Sequence, residues 1–355
     1  GRHRRHLLPA LSAAVLRAMI AHSRKASARV ASTTNLPKVS VIIPVKAVND
    51  YIRESLPHLM KQSHPNVEII VLPDRDDGEN LGPAKVTPTW PLTGPADKRD
   101  LGAQVSSGEI LAFLDDDAYP HRDWLASAIP HFNDPNVAAV GGPNVTPPED
   151  SLLQRAAGWV LASRLGGGNY TYRVTPETAR DVDDLPSVNL LVRKSDFEAV
   201  GGFDSHFWPG EDTKLCLDLT EKLGRRIVYD PHVLVYHHRR PLFIPYLKQI
   251  GRYGLHRGHF ARVLPKTSAR PSYFAPSLFT LGLVLGPFVP WAFIQRAYLL
   301  SLTVYSILVI GEALKAFARE RDWRLVPLVA AGIVATHIWY GLRFLQGLFM
   351  PRLAR

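Results

Sequence analysis

The apolar run Ile110 to Leu114 is followed directly by Asp115, Asp116 and Asp117. Such a run is typical of a buried strand in a parallel sheet. Ligands of open α/β sheets bind at the carboxyl ends of strands, so the three carboxylates are expected at a crevice rather than inside a core. Packed carboxylates repel one another unless a cation joins them, and Mg²⁺ or Mn²⁺ is the hard cation that suits oxygen ligands. The alternative is a solvated aspartate-rich turn that caps the next helix.

Strands and helices alternate on both sides of this motif. Strands are predicted at residues 39–45, 67–72 and 137–141, and helices at residues 50–62, 97–107 and 124–132. This alternation indicates βαβ units, and hence an α/β fold built on a mostly parallel sheet.

The charge of the chain narrows the range of its partners. The 355 residues carry a formal net charge of +10. Lys and Arg concentrate at residues 2–29, 239–270 and 315–324, which favours contact with anionic membrane lipids. A nucleic-acid partner is not expected, because no recognition-helix, zinc-finger or RNA-binding pattern is present. Cys216 is the only cysteine, so a disulfide within the chain is excluded, and a small core residue is its simplest interpretation.

Both ends of the chain have patterns typical of membrane contact. Residues 1–37 contain a short apolar stretch, Leu7 to Ile20, followed by basic residues, and predict an amphipathic helix lying on a membrane. An ordinary packed helix is the alternative. Residues 241–270 mix aromatic and basic side chains, which predicts interfacial amphipathic helices.

Residues 271–355 contain three long apolar segments, at 273–294, 297–317 and 325–350. Spanning a bilayer takes ~20 apolar residues, and each segment approaches this number, so about three membrane helices are predicted. The alternative is a buried helical domain. Arg319, Arg321 and Arg324 lie between the second and third segments, and basic loops of membrane proteins face the cytoplasm. The catalytic domain is then expected on the cytoplasmic face and the C-terminus outside. The basic residues Arg352 and Arg355 oppose an outward C-terminus.

Several motifs in fixed order resemble those of family 2 glycosyltransferases with the GT-A fold. The resemblance rests on the first strand at 39–45, on Lys98 to Gly102, on the aspartate triplet, on Gly201 to Asp204 and on Gly210 to Asp212. It covers residues 38–240, with a nucleotide-sugar half at 38–145 and an acceptor half at 146–240. The chain departs from the family pattern after the first proline, at Pro73 to Asp76 and at Asp100. These departures affect the expected identity of the nucleotide and sugar more than the expected reaction.

The resemblance implies transfer of a sugar from a UDP-, GDP- or dTDP-linked donor, with inversion at the anomeric carbon. It implies that Mg²⁺ or Mn²⁺ is held by Asp117 and by a histidine at His237 or His238, and that Asp115 either shares the metal shell or faces the nucleoside ribose. Asp212 would be the base, with Glu211 beside it. The implied nucleotide-sugar contacts are Pro44, Val45, Asp74, Arg99, Asp115 and Asp116. The implied contacts to acceptor and diphosphate are Gln249, Arg252, Tyr253 and Trp208.

The function expected from these features is that of a transferase integral to the cytoplasmic membrane. It would act on a lipid-linked or glycan acceptor in cell-envelope glycan or glycolipid synthesis. Two alternatives remain open: a polyprenyl-phosphate glycosyl donor synthase, and an inactive membrane scaffold of the same fold. A nucleotidyltransferase is disfavoured, because no Gly-rich phosphate loop follows the first strand.

Overall fold

An eight-stranded sheet forms the frame of the protein in a computed structural model that describes residues 36–351. The helix predicted within residues 1–37, at Leu7 to Ile20, lies outside the described residues. The strand order is β3-β2-β1-β4-β9-β6-β10-β8, with β8 and β9 antiparallel to their neighbours and the other pairs parallel. The strands are β1 (Val39–Pro44), β2 (Val67–Leu72), β3 (Lys85–Val86), β4 (Ile110–Leu114), β5 (Ala118–Pro120), β6 (Val137–Gly141), β7 (Asn144–Val145), β8 (Arg180–Val182), β9 (Asn189–Arg193), β10 (Arg226–Tyr229) and β11 (Val235–His237).

Helices cover both faces of this sheet, which confirms the predicted α/β fold. The α-helices are α1 (Asp50–Met60), α2 (Pro95–Val105), α3 (Trp124–Ala128), α4 (Leu152–Ala162), α5 (Arg164–Gly167), α6 (Lys194–Val200), α7 (Glu211–Glu221), α8 (Ile244–Val263), α9 (Pro265–Ser268), α10 (Pro271–Leu285), α11 (Ala292–Glu320) and α12 (Leu325–Phe349). One face of β1 packs on α1 and α3, and the other side of the sheet packs on α2, α6 and α7. Cys216 lies buried in the core between the sheet and α2, α6 and α7.

A second, three-stranded sheet brings distant parts of the chain beside the aspartate triplet. Its order is β5-β11-β7. β5 begins directly after Asp117, and it pairs antiparallel with β11 so that His237 lies opposite Ala118. This pairing places a histidine next to the triplet although Asp117 and His237 are 120 positions apart in the sequence.

The C-terminal helices correct one expectation from the sequence. The apolar segment at 273–294 is not one helix: α10 ends at Leu285, a 3-10 turn spans Gly286–Phe288, and α11 begins at Ala292. Pro287 and Pro290 fall at this break, since proline cannot continue a helix interior. Among residues 36–351, two helices rather than three are long and apolar enough to cross a membrane, namely α11 and α12.

Glycines allow α8 to pack closely along α12. A Cβ atom on Gly258 would lie 2.0 Å from the carbonyl oxygen of Phe344, and one on Gly254 would lie 2.8 Å from that of Tyr340. Gly251 similarly faces the ring of Trp339. The helix predicted to be interfacial is therefore fixed to the last long apolar helix over most of its length.

Candidate active site

The site begins with a cluster of possible metal ligands at the carboxyl end of β4. Asp115, Asp117 and His237 each offer a ligand atom, and these atoms lie within 4.8 Å of one another. Asp117 is buried, and its Oδ1 is 3.1 Å from His237 Nε2. Two carboxylates and one imidazole are a donor set that suits Mn²⁺ or Mg²⁺. The residues present therefore fit the divalent cation that the sequence predicted.

The two adjacent histidines of the sequence have different surroundings. His237 is in the cluster, whereas His238 lies between Asp150, at 2.5 Å from Nδ1, and Glu54, at 2.9 Å from Nε2. Burial lowers the pKa of His238, but these two carboxylates outweigh it and hold the pKa above its usual value. His238 therefore ties helix α1 to the loop before α4, and of the two histidines His237 is the one that lies in the cluster of possible metal ligands.

Arg239 fixes the tautomer of a neutral His237 ring. Its Nη1 donates to His237 Nδ1 at 2.9 Å, and its Nη2 donates to Asn144 Oδ1 at 2.7 Å. An arginine can only donate, so Nδ1 accepts and the ring proton of a neutral His237 lies on Nε2, facing Asp117. A cation bound through Nε2 would replace that proton, and Arg239 would then have to release Nδ1.

The charges of the triplet are set by different neighbours. Burial raises the pKa of Asp117, but His237 and then Arg240 outweigh it and hold the pKa below its usual value. Asp116 is not part of the cluster: its Oδ2 accepts from Asn49 Nδ2 at 2.7 Å. Burial and the nearby Asp117 raise the pKa of Asp116 to about 6. Within the triplet, Asp117 therefore stays ionised, whereas Asp116 is protonated more easily than an ordinary aspartate.

Arg99 joins the metal cluster to the start of α7. Its Nη2 donates to Asp115 Oδ1 at 2.7 Å, and its Nη1 donates to Glu211 Oε1 at 2.8 Å. Arg99 and Glu211 are both buried, with 4 % and 5 % of their surfaces exposed. The resemblance implied that Arg99 contacts the nucleotide sugar, and in the structure Arg99 is a buried bridge between two carboxylates.

The turn at Gly201 to Asp204 supports this bridge. The Phe203 amide donates to Asp100 Oδ1 at 2.9 Å, and the Arg99 guanidinium lies 5.6 Å from the centre of the Phe203 ring. Gly202 has a φ of 78°, and a Cβ there would lie 2.7 Å from Asp100 Oδ1. Burial raises the pKa of Asp100 to about 6. The glycine pair is thus required where the turn closes on Asp100.

Asp212 lies at the start of α7 beside this bridge. Its Oδ1 accepts from the Thr213 amide at 2.7 Å and its Oδ2 from the Ser187 amide at 3.4 Å. Burial, then the charges of Glu211 and Asp184, raise its pKa to about 7. A carboxylate with this pKa accepts a proton far more readily than an ordinary aspartate, as a general base requires.

Asp184 is an acidic neighbour that the sequence reasoning missed. It is buried and pairs with Arg173 at 3.1 Å and with Arg257 of α8 at 3.0 Å. Burial raises its pKa, but the two arginines outweigh this and lower the pKa to about 2. A permanent negative charge next to Asp212 is therefore built into the fold. No local motif marks Asp184, because its partners come from distant segments.

The nucleotide-side candidates meet at a buried lysine. Lys98 is 2 % exposed, and its Nζ donates at 2.5 Å both to Asp74 Oδ1 and to the carbonyl oxygen of Val45. Pro44 ends strand β1 immediately before Val45. Lys98 was part of the motif noted in the sequence, but no role followed from it there. In the structure it holds Asp74 against the end of the first strand.

The acceptor-side candidates lie on α8 and on the loop before α7. Gln249 Nε2 donates to Tyr253 Oη at 3.1 Å. Tyr253 and Trp208 keep 44 % and 43 % of their surfaces exposed, and Arg252 is also exposed. Burial of the hydroxyl and the charges of Asp212 and Asp115 raise the pKa of Tyr253 to about 12. Tyr253 therefore faces the carboxylates of the site, while Arg252 and Trp208 offer surface to a further molecule.

This geometry agrees with comparisons to known proteins. Residues 40–201 match the family described as Glycosyl transferase family 2. The glycosyltransferase AglE of Haloferax volcanii is 30 % identical over 224 residues, which cover 59 % of this chain and 69 % of that protein. The chain belongs to glycosyltransferase family 2, as its sequence motifs indicated.

Other relatives define the limits of this identification. The pre-mycofactocin glycosyltransferase of Mycobacterium tuberculosis is 35 % identical over 161 residues, covering 45 % of this chain and 33 % of that protein. The chain thus spans about a third of the length of that relative. A mannosyltransferase from Pyrobaculum calidifontis, solved in complex with GDP-Man and Mn²⁺, has a TM-score of 0.51 and 22 % identity, covering 92 % of this chain and 95 % of that chain. At this identity the likeness shows the shared GT-A fold.

Proposed function

We propose that this protein is a divalent-metal-dependent, inverting glycosyltransferase that moves a sugar from a nucleoside-diphosphate donor to a lipid-linked acceptor at a membrane. One observation carries the proposal: a continuous set of side-chain contacts joins the Asp115–Asp117–His237 cluster, through Arg99, to Glu211, the neighbour of Asp212. A cation site next to a carboxylate of raised pKa provides both requirements of one-step sugar transfer, namely stabilisation of the leaving group and a base.

The metal cluster would hold Mg²⁺ or Mn²⁺ against the donor diphosphate. When bound, the cation offsets the negative charge that develops on the departing diphosphate. Asp117 is suited to this role because its neighbours keep it ionised. Arg99 neutralises part of the charge on Asp115 and fixes its orientation through the second bond to Glu211. On the nucleotide side, Lys98 holds Asp74 beside Pro44 and Val45, where the base of the nucleotide is expected.

Asp212 would take the proton of the acceptor hydroxyl. The acceptor oxygen forms a bond to the anomeric carbon, the bond from that carbon to the diphosphate oxygen breaks, and the proton passes to the Asp212 carboxylate. Attack from the face opposite the diphosphate inverts the anomeric centre. Glu211 contributes differently: it is paired with Arg99, so it positions that arginine and, as a like charge, raises the pKa of Asp212.

The acceptor side points to a lipid-linked substrate. Gln249, Arg252 and Tyr253 lie on α8, which packs along the apolar helix α12, and Trp208 lies on the loop before α7. A relative of 21 % identity from Haloferax volcanii is named a glucosyl-dolichyl phosphate glucuronosyltransferase, and dolichyl phosphate is a lipid carrier. An acceptor presented at the membrane surface would reach Asp212 beside these side chains.

A contact between the catalytic domain and the loop after α11 supports the proposed membrane orientation. Arg155 of α4 pairs with Glu320 and, at 3.4 Å, with Asp322. The loop that carries Arg321 and Arg324 is therefore on the side of the catalytic domain. Since basic loops face the cytoplasm, the catalytic domain would act on the cytoplasmic face of the cytoplasmic membrane.

Release of nucleoside diphosphate tests the proposal. The detergent-solubilised protein would be given UDP-, GDP- and dTDP-sugars with Mn²⁺, Mg²⁺ or EDTA, with and without extracted membrane lipids. Metal-dependent, lipid-stimulated release that is lost in Asp117→Ala and Asp212→Asn supports it. Asp50→Asn is the matched control, because the Asp50 side chain is 99 % exposed on α1.

The same panel separates the alternatives. A polyprenyl-phosphate glycosyl donor synthase transfers to a phosphate, which needs little base catalysis, so Asp212→Asn would remain active. A scaffold of the same fold would release no diphosphate and would show no metal-dependent nucleotide binding by calorimetry.

A further inference from the structure

The hairpin of α10 and α11 exposes a concentration of large apolar side chains. Phe288 and Phe293 are 81 % and 82 % exposed, and Leu285, Trp291, Leu299 and Leu300 are each exposed by at least 59 %. Exposed apolar side chains at this density are unfavourable in water and mark a binding face. These six side chains are bulky and uncharged, which fits the acyl region of a bilayer, and the charged Arg296 lies between Phe293 and Leu299 in the sequence.

Both ends of this hairpin are attached to the catalytic domain. At its start, the ring of Tyr273 stacks on that of Tyr170 at 5.7 Å, and Arg270 donates to Tyr170 Oη at 2.9 Å. At its end, Glu320 accepts hydrogen bonds from Arg155 and from Trp159. The chain thus enters and leaves the hairpin on the same side of any membrane that the exposed tip penetrates.

The helix α12 is also held along the catalytic domain rather than pointing away from it. Near its start, a Cβ on Gly332 would lie 2.6 Å from Val160 of α4. In its middle, Thr336 is 3.1 Å from Tyr246 Oη of α8, and just after its end the carbonyl oxygen of Met350 is 3.2 Å from His259 of α8.

The helix α8 is in turn fixed to the domain at both ends. Before it begins, the Leu242 amide donates to the Leu153 carbonyl at 3.0 Å. Near its end, Arg257 pairs with the buried Asp184. A helix that crosses a bilayer must carry one end ~30 Å away from the other along the membrane normal. Helix α12 cannot do so while it runs beside a helix whose two ends remain on a water-exposed domain.

We propose that α10, α11 and α12 bind a lipid bilayer from one side only. The hairpin of α10 and α11 enters the bilayer and returns, α12 lies between the hairpin and the catalytic domain, and Met350 ends on the catalytic side. This differs from the three crossings and the outward C-terminus expected from hydropathy. It also accounts for Arg343 within α12, whose Nε faces the Gly251 carbonyl of α8 at 3.4 Å and so has polar surroundings.

Cysteine accessibility tests this topology independently of catalysis. Asp50→Cys on the catalytic domain, Phe288→Cys at the hairpin tip and Pro351→Cys after α12 would each be made in the wild-type chain. Wild type is the blank, because its only cysteine, Cys216, is buried. Right-side-out and inside-out sealed membrane vesicles would be prepared separately. Each preparation would be treated with a membrane-impermeant maleimide, before and after addition of detergent.

We expect Asp50→Cys and Pro351→Cys to be labelled from the same side and Phe288→Cys only after detergent. Labelling of Pro351→Cys from the opposite side to Asp50→Cys would overturn the proposal, as would labelling of Phe288→Cys from that opposite side. Labelling of Phe288→Cys without detergent from the Asp50 side would show that the apolar face is not in lipid. Leu285→Cys repeats the tip measurement if Phe288→Cys does not reach the wild-type melting temperature. The topology is a separate result from the proposed transferase activity, since labelling needs no substrate.

Discussion

Arg99 donates a 2.8 Å hydrogen bond to Glu211 in the interior of the protein, across 112 positions of sequence. The second arm of the same guanidinium holds Asp115. One side chain thereby fixes the distance between the cation site and the start of the helix that carries Asp212. Loss of this link should affect both the cation site and the position of Asp212.

Arg99→Ala should destabilise the protein strongly, because it leaves Glu211 as a buried charge without its partner. Breaking a buried ion pair in this way costs about 3–5 kcal/mol of unfolding free energy. Chemical denaturation would measure it. Arg53→Ala removes an arginine of an exposed ion-pair group on α1 and should leave the midpoint nearly unchanged. Equal effects of the two substitutions would contradict the structural role of Arg99.

Asp212→Asn should reduce kcat by roughly 10²–10⁴-fold, the usual contribution of a general base. The wild-type kcat/KM should fall as the pH drops below about 7, where Asp212 becomes protonated. Glu211→Gln removes the largest like charge acting on Asp212, so the acid limb should move to lower pH. A pH–rate profile with an unshifted acid limb in Glu211→Gln would argue against Asp212 as the titrating group.

The same carboxylate predicts a pH-dependent change in stability. Because the folded-state pKa of Asp212 is raised from 3.8 to about 7, the folded protein binds more protons than the unfolded chain between these values. The contribution of Asp212 to stability therefore falls as the pH rises through that interval. Asp212→Asn should stabilise the protein at pH 8 relative to wild type and change it little at pH 4. Melting temperatures at the two pH values would show the difference; stabilisation of equal size at both would refute this account.

The two neighbouring histidines provide a matched test of the cation site. His237→Ala removes one of three potential ligands and should weaken Mn²⁺ binding by more than the roughly 10–100-fold that loss of an outer-shell partner costs. His238→Ala breaks the contacts to Asp150 and Glu54, so it should lower the melting temperature but retain Mn²⁺ affinity. Calorimetric titration with Mn²⁺ alone would compare the two variants. Weaker Mn²⁺ binding in His238→Ala than in His237→Ala would show that His237 is not the ligand.

Close packing of α8 on α12 predicts that Gly258→Ala is strongly destabilising, since the added methyl would meet the Phe344 backbone at 2.0 Å. Gly311→Ala is the matched control, because nothing lies within 4 Å of its position in α11. Alanine is favoured over glycine in a helix by roughly 0.5–1 kcal/mol, so Gly311→Ala should be neutral or stabilising. Melting of the two variants in the same detergent would distinguish them. A Gly258→Ala variant that melts like wild type would show that α8 and α12 separate in solution.

The sequence by itself determined the strands at 39–44, 67–72, 110–114 and 137–141, the helices that follow the first two of them, the aspartate triplet and the family. These features depend on local hydrophobic periodicity and on motifs of a few residues, which are properties of neighbouring positions. The helix predicted at 97–107 differs from α2 only by two residues at each end, because Pro95 is accepted in the first helical turn.

Only the tertiary structure decided which distant groups meet. His237 rather than His238 joins the triplet because β11 pairs with β5 in one register, and strand register depends on long-range packing. Asp184 acquires its charge and its effect on Asp212 from arginines in two other segments. The placement of α12 depends on glycines that contact another helix, whereas hydropathy reports only the length and apolarity of a single segment. Pairings between distant residues are set by the packing of the whole chain, so no local pattern could have supplied them.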